Sequence, residues 1–274
     1  MRKTLIAASV TTLLSLPAVS ALAADPTPEH TFTGNVGVAT EYLYRGIAQT
    51  RGKPALQGGF DYSHSSGLYA GVWGSNITWI GDGIAGASAG LELDVYGGYK
   101  GTISGDLGFD VGVLTYNYPG TGKTAGGTVI DQNTTEIYGA LSYKWLTLKY
   151  SHTTTALFGW GKTANALDKT TGSGYLEANL AFDLGDGWGV TGHVGHQKVK
   201  GNSNASYTDY KLGVTKDLGV GVLGVAATTT NAKDSCNGVA PASASDVYCF
   251  VNNNGTSAYE SGKSRLLVTF TKSF

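Results

Sequence analysis

The residues that could carry out chemistry are few, and their spacing does not assemble a catalytic site. Ser151 and His152 are adjacent, as in part of a hydrolase dyad, but neighbouring residues of a strand point to opposite faces. His193 and His196 are three residues apart, so on a strand they also face opposite sides and do not pair on one metal ion. No helix pattern follows the Gly-x-Gly pieces, which argues against a phosphate loop. We therefore predict no catalytic residue, no metal site, no cofactor and no enzymatic activity.

Cys236 and Cys249 are the only cysteines, and both lie in the longest predicted loop, residues 231–263. For an exported chain we predict a disulfide between them, which in the chain-entropy model stabilises by about 2–3 kcal/mol. Two free thiols are the alternative. A metal site is a further one, without a neighbouring histidine to support it.

Charged residues recur at alternate positions within apolar segments. Leu91, Leu93 and Val95, for example, alternate with Glu92 and Asp94. Because successive strand side chains point to opposite faces, one face can meet lipid while the other carries the charges. The residues predicted to line a water-filled lumen are Glu41, Arg45, Glu92, Asp94, Asp110, Glu136, Lys149, Glu177, Asp209, Lys211 and Arg265. Arg45 has two interpretations: it narrows the pore, or it pairs with a carboxylate and fixes a loop.

The same alternation recurs in segments of roughly ten residues, the length of a transmembrane strand. It predicts strands at residues 32–45, 55–63, 68–79, 91–100, 107–113, 135–144, 146–151, 176–183, 188–197, 209–215, 220–230 and 265–274. The inward and outward faces of the strands at 68–79 and 220–230 stay unassigned, because in each strand both faces are apolar. Short turns alternate with long loops, as in outer-membrane barrels. The fold class is therefore predicted to be all-β: a transmembrane antiparallel up-and-down β-barrel of about 12 strands.

The last strand ends on an aromatic residue. Leu266, Val268, Phe270 and Phe274 share one face of it. A soluble protein gains little from an aromatic terminus, because termini are usually loose. We predict that Phe274 is the assembly signal read by the barrel-assembly machinery; the alternative is an ordinary amphipathic edge strand. Aromatic residues near other strand ends suit the membrane interfaces, namely Tyr44, Tyr62, Tyr143, Trp145 and Trp188.

The N-terminus and the composition indicate export to a membrane without a membrane-spanning helix. Residues 1–23 have a basic start, a short apolar core and a small-x-small end, which predicts a signal peptide followed by a barrel at residues 24–274. Charged residues make up only 14% of the chain, and the mean hydropathy is −0.06. The formal net charge of −1 excludes the basic footprint of a nucleic-acid-binding protein.

Several motifs resemble one known family. They are Tyr42-Leu43-Tyr44-Arg45-Gly46-Ile47-Ala48-Gln49, residues 53–62, Gly71-Val72-Trp73-Gly74-Ser75-Asn76, Glu92-Leu93-Asp94-Val95-Tyr96 and residues 172–176. The pattern is similar to that of the TorF family of porin-like outer-membrane proteins, over nearly all of the mature chain. It departs at Ala48, where the family has Ser, and in the long last loop. The resemblance implies an outer-membrane barrel with channel activity and no known substrate.

The predicted function is a porin-like passive diffusion channel for small hydrophilic solutes in the bacterial outer membrane. Its expected partners are outer-membrane lipid, lipopolysaccharide, the barrel-assembly machinery and the solutes, with no nucleic acid. A closed barrel with a structural or adhesive role and no channel activity is the alternative. An outer-membrane hydrolase is a third hypothesis, which lacks a triad.

Overall fold

The computed structural model describes residues 28–83, 89–120, 131–160, 170–252 and 254–274. The predicted signal peptide, residues 1–23, lies outside these ranges and stays a prediction. Within them, twelve antiparallel strands form a closed barrel, as predicted. No helix in the described ranges is long and apolar enough to cross a membrane.

The barrel strands are numbered here in chain order. They are β1 His30–Ala39, β2 Ala55–His64, β3 Leu68–Asn76, β4 Leu91–Ser104, β5 Leu107–Asn117, β6 Thr134–Tyr143, β7 Leu146–Thr153, β8 Gly174–Gly185, β9 Trp188–Lys198, β10 Tyr207–Asp217, β11 Val222–Thr230 and β12 Arg265–Ser273. Each strand pairs with its neighbour in sequence, and β1 pairs with β12 to close the barrel. A closed barrel has no unpaired sheet edge, and β-structure that spans a lipid bilayer requires this because lipid offers no hydrogen bonds.

The closing seam extends to the last residue of the chain. Val38 of β1 lies opposite Phe270 of β12. Gly34 and Phe274 exchange two backbone hydrogen bonds, of 2.8 and 2.9 Å. The Phe274 ring also meets Phe60 of β2 edge-on, with the ring centroids 6.5 Å apart. The C-terminal aromatic residue is therefore part of the barrel wall.

The alternation along the strands divides the outer face from the inner face as predicted. On β4, Leu91, Leu93 and Val95 are exposed outside, whereas Glu92 and Asp94 are buried inside. The two segments with unassigned faces are resolved in the same way. On β3, Tyr69 and Ser75 point inward, and on β11 the inward residues include Val222 and Thr228.

The two ends of the barrel differ. The connections between β2 and β3, β4 and β5, β6 and β7, β8 and β9, and β10 and β11 are short, and we call this end the short-turn end. The opposite, long-loop end carries the longer connections. One of them contains a short helix, Trp79–Gly83, so the predicted strand 68–79 is too long and ends at Asn76. The described residues between 231 and 263 include two small hairpins, Cys236–Asn237 with Ala240–Pro241 and Cys249–Val251 with Ala258–Glu260.

The first predicted strand, residues 32–45, is wrong at its C-terminal end. The wall strand β1 stops at Ala39, and residues 41–50 turn into the barrel, where all of them except Gly46 are buried; we call them the inner segment. The inner segment contains a small hairpin, Leu43–Tyr44 paired with Ile47–Ala48. Its tyrosine and leucine side chains form a buried cluster inside the barrel with residues of β5, β6 and the helix, including Tyr116, Tyr138 and Ile80. The packed core therefore lies in the lumen.

Candidate functional site

A two-residue turn places Arg45 in the interior of the barrel. Arg45 and Gly46 both have positive φ, +47° and +79°, the conformation of a tight hairpin turn between Tyr44 and Ile47. A Cβ added at Gly46 would lie 2.6 Å from Thr230 Cγ2 and 2.8 Å from Asp209 Cβ, so the wall leaves room only for glycine. The Arg-Gly pair of the first motif is thus explained by this inserted turn.

Arg45 crosses the lumen and binds two wall strands. Its Nη1 and Nη2 donate to Oε1 and Oε2 of Glu136 on β6, at 3.1 and 2.8 Å. Nη1 also donates to Oε1 of Gln197 on β9 at 2.7 Å. The guanidinium lies 4.1 Å from the ring centroid of Tyr175, and the side chains of Arg45 and Glu136 are only 5% and 2% exposed. Arg45 is thus paired with a carboxylate, as one of its two interpretations expected, and its role in narrowing a pore stays a prediction.

Other residues of the inner segment are anchored by further polar contacts. Glu41 forms an ion pair with Nε of Arg265 on β12 at 3.1 Å and accepts a hydrogen bond from the Tyr259 hydroxyl at 2.9 Å. The Tyr42 hydroxyl donates to Glu92 Oε1 at 2.5 Å. Glu41, Arg45, Glu92, Glu136 and Arg265 thus lie inside the barrel, but Glu41 and Arg45 belong to the inner segment and not to a wall strand. The prediction that placed them on the first strand is wrong for this reason.

Tyr44 was predicted at the membrane interface and lies inside instead. Its hydroxyl donates to the Tyr116 hydroxyl at 3.1 Å, and its ring contacts Phe158 edge-on. The alternation of residues 40–45 continues that of β1, so the pattern alone does not show that the chain has left the wall. Tyr62, Tyr143, Trp145 and Trp188 do lie at the short-turn end, on the outward face of their strands or in the adjoining turn.

A second polar cluster lies on the neighbouring wall. His193 Nε2 is 2.8 Å from Asp209 Oδ2, and His193 Nδ1 is 3.7 Å from Glu177 Oε2. The Tyr175 hydroxyl donates to Asp209 Oδ1 at 2.8 Å. With Arg45 and Lys211 these residues line a small pocket. His193 is not among the predicted lumen residues, although its parity on β9 places it on the same face as Gln197.

The remaining predicted lumen charges also point inward. Asp110 accepts a hydrogen bond from the Tyr69 hydroxyl at 2.5 Å, and Lys149 Nζ lies 4.3 Å from the ring centroid of Tyr138. Asp94 is 4% exposed, and its Oδ1 makes no hydrogen bond to any residue of the described part of the chain. All eleven predicted residues are therefore on the lumen side. Their role in lining a permeation path stays a prediction.

Tyrosine is the residue type that sequence reasoning missed in the lumen. Many tyrosines with buried rings contact the lumen charges or each other, among them Tyr42, Tyr44, Tyr69, Tyr116, Tyr138 and Tyr175. Their inward parity on β5, β6 and β8 was readable from the sequence. A tyrosine suits either face of a barrel, however, because its ring is apolar and its hydroxyl polar.

The predicted disulfide is confirmed. Cys236 and Cys249 are bonded and link the two small hairpins of the loop between β11 and β12. Burial raises the pKa of the neighbouring Asp234 carboxyl, and the charge of Glu260 adds to the rise.

The two residues considered for a hydrolase dyad lie on opposite faces of β7. Ser151 points into the lumen and His152 points outward beside Tyr150, so they do not form a dyad.

The fold defines the class of this protein as a closed twelve-stranded antiparallel β-barrel with a polar interior. The chain belongs to the family described as "Bacterial protein of unknown function (Gcw_chp)", whose model matches residues 23–274. That description agrees with the expectation that the family has no known substrate. The TorF name stays a prediction. No match was found among curated proteins.

Solved structures with a similar fold are outer-membrane proteins. One is the KdgM porin in complex with disordered oligogalacturonate, at 7% identity and a TM-score of 0.49, covering 88% of this chain and 99% of that one. The NanC porin matches at 8% identity with a TM-score of 0.47, covering 88% of this chain and 98% of that one. The toluene transporter TodX of P. putida matches at 11% identity with a TM-score of 0.46, covering 90% of this chain and 91% of that one. Identities this low, with TM-scores below 0.5, carry no information on the function of this chain.

Proposed function

We propose that the protein is a narrow outer-membrane diffusion channel for small hydrophilic solutes, constricted by the inner segment. The observation that carries the proposal is the division of a closed barrel into an apolar outer face and a charged inner face. A charge pointing into lipid at mid-bilayer costs about 2–4 kcal/mol, so this division is what a lipid environment selects. Charges that point into a lumen are solvated there or paired.

The outer face supports the membrane location. Large apolar side chains are exposed around the whole barrel, for example Leu56 at 61%, Leu176 at 57% and Leu212 at 66%. A soluble monomer exposes contiguous apolar patches of only about 300–600 Å². Exposed aromatic residues ring the short-turn end, including Tyr143, Trp145 and Phe274. We assign the short-turn end to the periplasm and the long-loop end to the exterior, where lipopolysaccharide is the expected lipid partner.

The inner face supports a path that narrows from the periplasmic side. In the short-turn half of the wall formed by β8–β11, most inward positions carry small residues, such as Thr191, Gly213 and Thr215, whereas Tyr69 and Asp110 point inward on the opposite wall. In the long-loop half the inward positions carry tyrosines and charges, and the inner segment fills the space between them. A solute therefore meets the constriction at the inner segment, where Arg45, Glu136 and Glu92 present fixed polar groups in place of water. Such a lumen selects small hydrophilic solutes.

The alternative, a closed barrel with a structural or adhesive role, rests on the dense packing of the long-loop half. Glu92 and Tyr175 are each 1% exposed, so the described conformation has little free space beside them. The two functions differ in one measurable property, the conductance of the reconstituted barrel.

The test is conductance in planar bilayers, with a variant that lacks the constriction. Residues 43–48 are replaced by a Gly-Ser linker of equal length; the control replaces residues 237–242 of the external loop with the same linker. We expect small single-channel currents from the wild type and the control, and severalfold larger currents from the inner-segment variant. Swelling of liposomes in a panel of small sugars and amino acids then identifies the solutes. Zero conductance of both the wild type and the correctly folded inner-segment variant would contradict a channel and favour the closed barrel.

A further inference from the structure

Two histidines and a glutamate meet on the outside of the barrel at the short-turn end. His30 and His64 lie directly opposite each other in the register of β1 and β2, with ring centroids 5.1 Å apart. Glu29 precedes β1, and its Oε1 lies 3.4 Å from Nε2 of His64. One potential ligand atom of each residue lies within 4.8 Å of those of the other two. We propose that Glu29, His30 and His64 bind a divalent transition-metal ion of the Zn²⁺ type.

The spacing of the ligand atoms is close to that of a bound ion. Two ligands at 2.0–2.1 Å from a tetrahedral Zn²⁺ are about 3.4 Å apart. The pair formed by Glu29 and His64 already has this separation. The ligand atom of His30 has to move no more than about 1–2 Å closer to the other two, and side-chain rotation at an exposed rim allows such a movement. A fourth position is left for water.

Both imidazole rings are held by a hydroxyl group on Nδ1, which leaves Nε2 of each ring as the nitrogen for the metal. Nδ1 of His64 is 2.7 Å from Ser66 Oγ, and Nδ1 of His30 is 2.9 Å from the Tyr62 hydroxyl. When Nε2 of His64 binds a metal, Nδ1 carries the proton and donates to Ser66 Oγ, and the bond from the Ser66 backbone N–H is given up. Partners of this kind orient metal-binding histidines and tune their basicity.

The backbone around the site is already fixed. The Ser65 N–H donates to the Glu29 carbonyl at 2.9 Å, so the strand ladder continues one residue beyond β1. This part of β1, from His30 to Thr33, pairs with β2 but not with β12, whose pairing begins at Gly34 and Asn35. The bound ion therefore clips an exposed strand end, which is otherwise held from one side only, to the neighbouring strand.

The donor set selects the class of metal. Two imidazoles and one carboxylate suit Zn²⁺, Ni²⁺ and Cu²⁺, whereas Ca²⁺ and Mg²⁺ prefer oxygen ligands. This site was not predicted from the sequence, because His30 and His64 are far apart in the chain and only the pairing of β1 with β2 brings them together. It is independent of any channel activity.

The test is calorimetric titration of the folded, untagged barrel in detergent with Zn²⁺, alongside the variants E29Q, H30Q and H64Q. His196→Gln is the matched control, because His196 also points outward and hydrogen-bonds a hydroxyl, that of Thr208. We expect one Zn²⁺ per barrel in the wild type and in the control, and affinity at least tenfold lower in each of the three variants. Hydrogen exchange of residues 28–34 should slow severalfold on Zn²⁺ addition in the wild type and not in H64Q.

Heat-modifiable migration in gel electrophoresis shows for each variant that the barrel is folded, which separates lost binding from lost structure. The absence of saturable Zn²⁺ binding to the wild type overturns the proposal. Unchanged affinity in any one of the three variants overturns it as well, since the site is assigned all three ligands.

Discussion

At the scale of single residues, the contact between Arg45 and Glu136 determines how the inner segment is held. Arg45 adopts a left-handed backbone conformation, which costs a residue with a side chain roughly 1–2 kcal/mol. Its guanidinium and the Glu136 carboxylate are both buried. Removing one partner of such a pair leaves an uncompensated charge, whereas removing both does not.

Arg45→Ala is therefore expected to destabilise the barrel by about 3–5 kcal/mol, because Glu136 is left buried and unpaired. The double variant R45A/E136A should recover part of that loss. Both effects are measured as shifts of the denaturant midpoint at which the barrel loses heat-modifiable migration. Lys263→Ala is the control: its pair with Glu260 is exposed, and such pairs contribute only about 0–1 kcal/mol. Equal denaturant midpoints of R45A and K263A would show that the buried pair does not stabilise the barrel.

Gly46 tests the geometry of the turn itself. Gly46→Ala introduces both a left-handed alanine and a Cβ within 3 Å of Thr230 and Asp209. Gly219→Ala is the matched control, because Gly219 has almost the same φ, +78°, and nothing lies within 4 Å of its added Cβ. We expect G46A to lower the unfolding midpoint clearly more than G219A, since only G46A adds a steric clash to the backbone cost. Equal decreases of the unfolding midpoint in both variants would mean that the added Cβ at position 46 does not clash with the wall.

At the scale of elements, the C-terminal residue is part of the closing seam between β1 and β12. Phe274 supplies two backbone hydrogen bonds to Gly34 and packs its ring against Phe60. Deleting it shortens the seam at the end where β1 is already held from one side only. Its predicted role as the signal for the barrel-assembly machinery adds a second reason for it to be needed.

Deletion of Phe274 is expected to lower the amount of folded protein in the outer membrane severalfold, whereas Lys272→Ala should leave it nearly unchanged. The measurement is the heat-modifiable band in outer-membrane fractions at equal expression. Refolding of the purified deletion variant into detergent separates the two reasons: normal refolding with poor assembly in cells points to the signal, and poor refolding points to the seam. Wild-type levels in cells would contradict both.

At the scale of the whole molecule, the barrel wall was predictable and the filling of its lumen was not. A wall strand is read from an alternation of period two, which is local, and lipid enforces it on every strand. Residues 40–45 keep the same alternation after β1 has ended at Ala39, so the pattern could not distinguish the inner segment from the wall. The partner of Arg45 was equally unpredictable, because Glu136 is distant in sequence and meets it only across the closed barrel.

The distribution of charge inside the barrel leads to the last prediction, on ion selectivity. Among the predicted lumen residues, seven are acidic and four are basic, and two of the four, Arg45 and Arg265, are paired with Glu136 and Glu41. The buried carboxylate of Asp94 has an oxygen without a hydrogen-bond partner in the described residues, and Glu92 lies on the same face of β4. Low-dielectric walls focus the field of such groups on permeating ions, so we expect weak cation selectivity that is stronger at low salt.

The measurement is the reversal potential of the wild-type channel across a potassium chloride gradient. Asp94→Asn should shift it towards the value of an unselective pore, because this substitution removes a charge at the constriction without changing the size of the side chain. Asp61→Asn is the control, since Asp61 lies near the short-turn rim, where salt screens a charge within about 8–10 Å. Anion preference of the wild type, or an equal shift in D61N and D94N, would show that the acidic residues on β4 do not control which ions pass.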